Sequence, residues 1–261
     1  MRFFRLIGAF MRADFAGELA YRVNFFWQLL QSFLSLGVAL AGLSIIFSYA
    51  GTIGGWSLDE VLALVGVFFL VGGVIGFIIQ PGMEQFISSV RDGTLDFLLV
   101  KPVDAQLIVS IQSVDIWKLV DILMGAGVLA FALIKIGEGV GLWPAFAFLL
   151  MLAAGTVIVY SFWLILATLA FWFVRVENVL VIFQSLYEAG RWPLSLYPGW
   201  LRYGLTFVVP VAFAVTVPAE ALTGRLSGAN VLIAFALAAV LLAVSRFFWR
   251  KGLTRYSGAS A

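Results

Sequence analysis

Asp115, Lys118 and Asp121 stand three residues apart inside 107–134, a stretch that is otherwise apolar. On a helix that spacing keeps all three within about 120° of arc, so the ammonium reaches either carboxylate. Ionisable groups at membrane depth are costly, and by default they mark a pathway for something polar. Two readings stand: the three line a polar cavity, or they neutralise one another and hold helices together. Glu188 and Arg191 repeat the spacing. Their place at the end of an apolar run favours a tie between helices over contact with a substrate.

Other chemistries are excluded by composition. The chain has no histidine and no cysteine, which removes imidazole bases, thiolates, disulfides and the usual zinc ligands. No catalytic residue and no metal site is assigned. An enzyme acting at the membrane surface would have to rely on Asp59, Glu60 or Glu188, and none of them has a convincing partner in the sequence. The phosphate-cradling pattern G-x-x-x-x-G-K-[S/T] does not occur, so this chain is expected to bind no nucleotide by that route and to hold no cofactor.

The elements that position these charges are membrane helices. Mean hydropathy is +1.07 and only 11% of residues are charged, far below the roughly 25% of soluble domains. With about 20 apolar residues per crossing, 261 residues have room for some six crossings in one domain, 1–261. Apolar runs place them at 25–47, 60–80, 107–134, 143–173, 176–190 and 229–249. The first twelve residues are too interrupted by Arg2, Arg5 and Arg12 for a cleaved signal, so the first crossing is expected to direct insertion. The net charge of +2 suits an anionic membrane surface, and nucleic acid is not expected as a partner.

Basic residues orient the crossings. Arg2, Arg5, Arg12 and Arg22 precede the first, and Arg246, Arg250, Lys251 and Arg255 follow the last. Both ends therefore read as cytoplasmic, which requires an even number. Six crossings put Arg91, Lys101 and Arg175 inside as well, and leave Lys135, Arg191, Arg202 and Arg225 outside, eleven against four. Ser57 and Glu60 form a capping box that fixes the outer end of the second crossing. Residues 1–24 are expected to hold an interfacial helix, with Phe3, Leu6, Ile7 and Phe10 on one face and the arginines on the other, the alternative being a basic stub that only orients the first crossing. Gly72 and Gly76 permit a close helix contact in the second crossing.

Two connections carry more than a turn needs. The outer segment 191–228 is apolar, but Pro210 and Pro218 break it twice in eight residues. It reads as broken helices that dip into the membrane and return, with a Pro-kinked crossing as the alternative. The inner segment 81–106 starts at Pro81 and Gly82, which are expected to end the second crossing. Glu84, Arg91, Asp92, Asp96, Lys101 and Asp104 alternate in sign through it, with Phe86, Ile87, Leu95, Phe97, Leu98 and Leu99 between them. A solvated loop does not need those apolar residues. A short amphipathic helix ended by Gly93 would offer them to a soluble partner as anchors, the charges setting the register. The other reading is a helix lying on the membrane surface and binding nothing.

The inner strip, Glu84 followed by RDGTLDFLLVKPV at 91–103, resembles the pattern found after the second crossing in permeases of the ABC-2 exporter family. The outer stretch YPGWLR at 197–202, followed by Pro210, Phe213 and Pro218, is similar to the branch whose permeases are encoded in pairs beside an ATPase. The resemblance implies an all-α integral membrane fold. Six transmembrane helices are expected, with an N-terminal interfacial helix, a coupling helix after the second and re-entrant helices between the fifth and sixth. It implies an exporter permease in the bacterial inner membrane, coupled to an ATP-binding cassette ATPase dimer that holds ATP and magnesium, and a second permease, homologous rather than identical. Glu84, Phe86, Arg91, Asp92, Gly93, Leu95, Asp96, Lys101 and Pro102 would then couple to the ATPase. Pro198, Gly199, Trp200, Pro210 and Pro218 would shape the re-entrant segment. Many relatives carry a second acidic residue where Gln85 stands, so the charge pairing with the ATPase is expected to differ. A secondary transporter driven through Asp115, Lys118 and Asp121 is the alternative, although no internal repeat supports it.

Overall fold

The computed structural model describes residues 22–137, 141–173 and 176–256. The expected interfacial helix before residue 22 and Arg175 lie outside the described residues. Among the described residues the protein is helical, with no strand beyond one bridge between Ile53 and Trp56. Five helices are long and apolar enough to cross a membrane: 25–49, 58–91, 116–136, 142–171 and 228–253.

Taking the top as the end where the second helix begins, α1 (Arg22–Tyr49) runs up and α2 (Leu58–Val74) runs down. Ser57 caps α2: its hydroxyl accepts from the Glu60 amide at 3.4 Å, and the Glu60 carboxylate accepts from the Ser57 amide at 2.7 Å, as the sequence predicts. The expected stop at Pro81 and Gly82 does not occur. The chain passes through one π-helical turn, Ile75–Ile79, directly into α3 (Gln80–Arg91), giving a rod of 34 residues. Pro81 offers no N–H to the carbonyl of Phe77 four residues earlier, but that carbonyl accepts from the Asp115 amide at 3.0 Å. A partner from another element removes the penalty that makes proline a terminator.

After α4 (Asp96–Leu99) and α5 (Ala105–Ile111) the third expected crossing is broken. A 3-10 turn at Ile116–Lys118 leads into α6 (Leu119–Ile136), which rises against α2. The backbones touch: a methyl on Gly66 would lie 2.6 Å from the Leu129 amide nitrogen, one on Gly73 would lie 2.7 Å from that of Ile122, and one on Gly125 would strike the Leu70 backbone. Small residues that let helix backbones meet supply the packing that lipid cannot drive hydrophobically. Gly72 and Gly76 have different neighbours, the Tyr187 ring at 3.4 Å and the Lys118 stem at 2.9 Å.

Helix α7 (Leu142–Thr168) descends to a closing turn at Leu169–Phe171, and α8 (Glu177–Tyr187) rises through a turn at Glu188–Arg191. With its turn α8 is about 22 Å long at 1.5 Å per residue, and it is not among the five helices long and apolar enough to cross, so the expected crossing at 176–190 is short of a full span. The outer segment follows as α9 (Gly199–Tyr203) with a π turn to Val208, then a π turn from Ala212 into α10 (Val217–Leu222). These halves bend by 77° around Pro210. Both ends of the segment hold the same loop before α2: the Ser195 hydroxyl donates to the Gly54 carbonyl at 3.0 Å, and Arg225 donates to the Gly55 carbonyl at 2.7 Å and to Glu60. Both ends of the segment thus lie at one end of the bundle, the arrangement expected of a re-entrant segment. Pro198 precedes Gly199 at the start of α9, Trp200 is exposed, and Pro218 opens α10. Helix α11 (Gly228–Leu253) then descends to the bottom, where α1 began.

Candidate functional site

The lower end is joined by aromatic side chains. Phe86 on α3 is fully buried, its ring 5.4 Å from that of Phe171 after α7 and 5.2 Å from that of Trp249 on α11. Leu95 is fully buried too. Both were expected as anchors for a soluble partner, and that expectation is corrected: they belong to this chain's own core. Apolar spacing in a helix shows that one face is covered, without saying by what. Gly93 does end α3, with φ +70°, where a side chain would be strained.

What remains outside is a different set. Glu84, Arg91, Asp92 and Pro102 are exposed, Asp96 and Lys101 half-buried. Phe97 is 72% and Val100 81% exposed, projecting from the elbow formed by α3 and α4. Arg91 pairs with its neighbour Asp92 at 3.2 Å, and Glu84 accepts from Gln80 at 2.8 Å. The elbow is clasped to the last helix, because Arg246 donates to both oxygens of Asp104 and to Gln106 at 2.6 Å. That guanidinium holds the Asp104 carboxyl below its ordinary range.

The charged triplet does not survive as a triplet. Asp115 lies in the break before α6, where its carboxylate accepts from the Trp117 amide at 3.0 Å, so it caps a turn and shares no helix face with the other two. Lys118 and Asp121 pair at 3.4 Å, and Asp121 also accepts from the Ser32 hydroxyl of α1. Higher up, Arg191 pairs with Glu188 at 2.6 Å, donates to Ser35 of α1 at 3.2 Å, and lies 5.1 Å over the Phe68 ring. Two serines one turn apart thus bond α1 to the bundle, while most of its apolar side chains are exposed.

Between α1, α2, α6 and α8 these groups enclose a cleft of about 410 Å³. Lys118, Asp121, Glu188 and Arg191 line it, and Asp115 does not. Gln28, Gln31, Ser32, Ser35 and Gln184 line it as well and were not singled out in the sequence. Positions 28, 31, 32 and 35 follow i, i+3, i+4, i+7, a polar stripe on an apolar helix and the signal that marks them.

Residues 33–260 match the family described as ABC-2 family transporter protein. The chain belongs to that family. It is accordingly a multi-pass membrane protein and the permease component of an ABC-type transporter. No curated protein matches it.

Proposed function

We propose that this ABC-2 permease forms the translocation path of an exporter whose energy comes from a separate ATP-binding cassette ATPase dimer, which would hold the ATP and magnesium. The observation that carries the reading is the unbroken rod from α2 through α3. Phe68, Phe69, Gly72 and Gly73 on its upper part face the cleft, and its lower end carries the elbow. Movement of the elbow therefore reaches the cleft wall through one helix, with the π turn at Ile75–Ile79 between them. In this reading the lower end is cytoplasmic, both termini lie there, and the membrane is the bacterial inner membrane. The paired-gene resemblance favours a homologous second permease across the cleft.

The alternative, a secondary transporter, draws on Lys118 and Asp121 in the cleft. Reconstitution separates the two. Purified in mild detergent, the chain is expected to carry an ATPase whose vanadate-sensitive hydrolysis persists in proteoliposomes without an ion gradient. Transport by the chain alone, driven by an imposed proton gradient, would overturn the proposal.

A further inference from the structure

The lining of the cleft restricts what it takes. Its charged side chains pair within the chain, Lys118 with Asp121 and Arg191 with Glu188, while the buried Nε of Arg191 and the buried indole N–H of Trp163, which also lines the cleft, have no hydrogen-bond partner among the described residues. An ionised ligand entering this low-dielectric space would have to break one pair and strand its partner. Amide groups are the other resource. Gln28 donates to Ser32 at 3.4 Å and Gln80 to Glu84 at 2.8 Å. Among the described residues, the side-chain amides of Gln31 and Gln184 have no hydrogen-bond partner. Each offers two donors and an acceptor, and with Gln31 exposed and Gln184 half-buried both are open to a ligand.

The surroundings of these two amides are apolar. Leu30 and Leu34 flank Gln31 on α1, and Val181 and Ile182 precede Gln184 on α8, all of them exposed. A molecule satisfying both amides would have its polar part in the cleft and its apolar part between these helix surfaces. A volume of about 410 Å³ falls in the range of ligand pockets, about 300–1,000 Å³. Resting on the reading of the cleft as the path, we infer that its ligand is an amphiphile with an uncharged headgroup carrying both donors and acceptors, hydroxyls or amides. Gln31 and Gln184 are the residues that select it.

The test uses the absence of cysteine. Ser185 lines the cleft and is exposed, so Ser185→Cys supplies a single thiol there. With the chain in phosphatidylcholine nanodiscs, alkylation by N-ethylmaleimide is timed against dodecyl glucoside, dodecyl phosphate, dodecylphosphocholine and dodecyltrimethylammonium. The glucoside is expected to slow alkylation and the charged amphiphiles to leave it unchanged. Gln31→Leu with Gln184→Leu should raise the protecting glucoside concentration about tenfold, the loss of two neutral hydrogen bonds. A Ser48→Cys reporter, away from the cleft, should react at one rate throughout. Protection by a charged headgroup equal to that of the glucoside overturns the headgroup assignment and leaves the path standing. Protection before any amphiphile is added, lost in discs that hold a single copy, assigns the amides to a neighbouring copy and also overturns it. If nothing protects, the inference fails, and the alkylated complex then decides the path: retained ATP-driven transport puts the path elsewhere, and lost transport keeps it here.

Discussion

Phe86→Ala is expected to destabilise the protein by about 3–5 kcal/mol, the usual range for removing a buried phenylalanine ring. The ring is fully buried and touches Phe171 and Trp249, so its loss opens a void where α3, the end of α7 and the end of α11 meet. Collapse into that void is restricted. Phe171 also packs on Gly252, where an added methyl would collide with the ring, and lies 6.1 Å from Tyr256. Thermal unfolding of the solubilised chain measures the effect, and Phe86→Leu, which keeps most of the volume, should cost less. Equal melting of Phe86→Ala and the parent chain would show that the elbow is not anchored there.

The second large effect is at the opposite pole of the elbow. Phe97→Asp combined with Val100→Asp should leave the melting temperature unchanged, because both side chains are mostly exposed. Association with the ATPase should fall sharply. Central apolar anchors at interfaces carry about 2 kcal/mol or more each, about thirtyfold in affinity, and a carboxylate put in their place adds a desolvation penalty. Titration of the ATPase against parent and double variant in nanodiscs reads the change. Unaltered affinity would mean that the exposed side of the elbow is not the docking face.

These two experiments divide residues that the sequence left together. Phe86, Leu95, Phe97 and Val100 are all apolar side chains among charges, and nothing in their order distinguishes a core position from a partner-facing one. The distinction comes from Trp249 and Phe171, more than seventy residues away, which cover Phe86. Long-range packing of that kind has no local signature. Crossings were legible because hydropathy is local: the predicted runs at 25–47, 143–173 and 229–249 lie within helices at 25–49, 142–171 and 228–253 to within a few residues. Pro81 misled for the converse reason, since the Asp115 amide that satisfies the Phe77 carbonyl comes from a distant segment. The pairing of Lys118 with Asp121 was readable from spacing, but the break that removes Asp115 from their helix was not, because Gln112 and Ser113 give no strong terminating signal. The polar stripe on α1 was visible in principle, and its meaning depended on knowing that it faces α6 and α8.

If this permease forms the translocation path, the cleft between α1 and α8 should open and close as the ATPase turns over. Ser35 and Gln184 line it from those two helices, and the chain has no other thiol to interfere. Ser35→Cys with Gln184→Cys, joined by a short bismaleimide in the assembled complex, fixes the separation of the helices. The measurement is ATP hydrolysis and transport before and after bridging, with each single cysteine as control. Hydrolysis should fall to that of the ATPase without the permease, and transport should stop. Hydrolysis and transport that continue at the parent rates with the cleft bridged would show that the cleft is not the path.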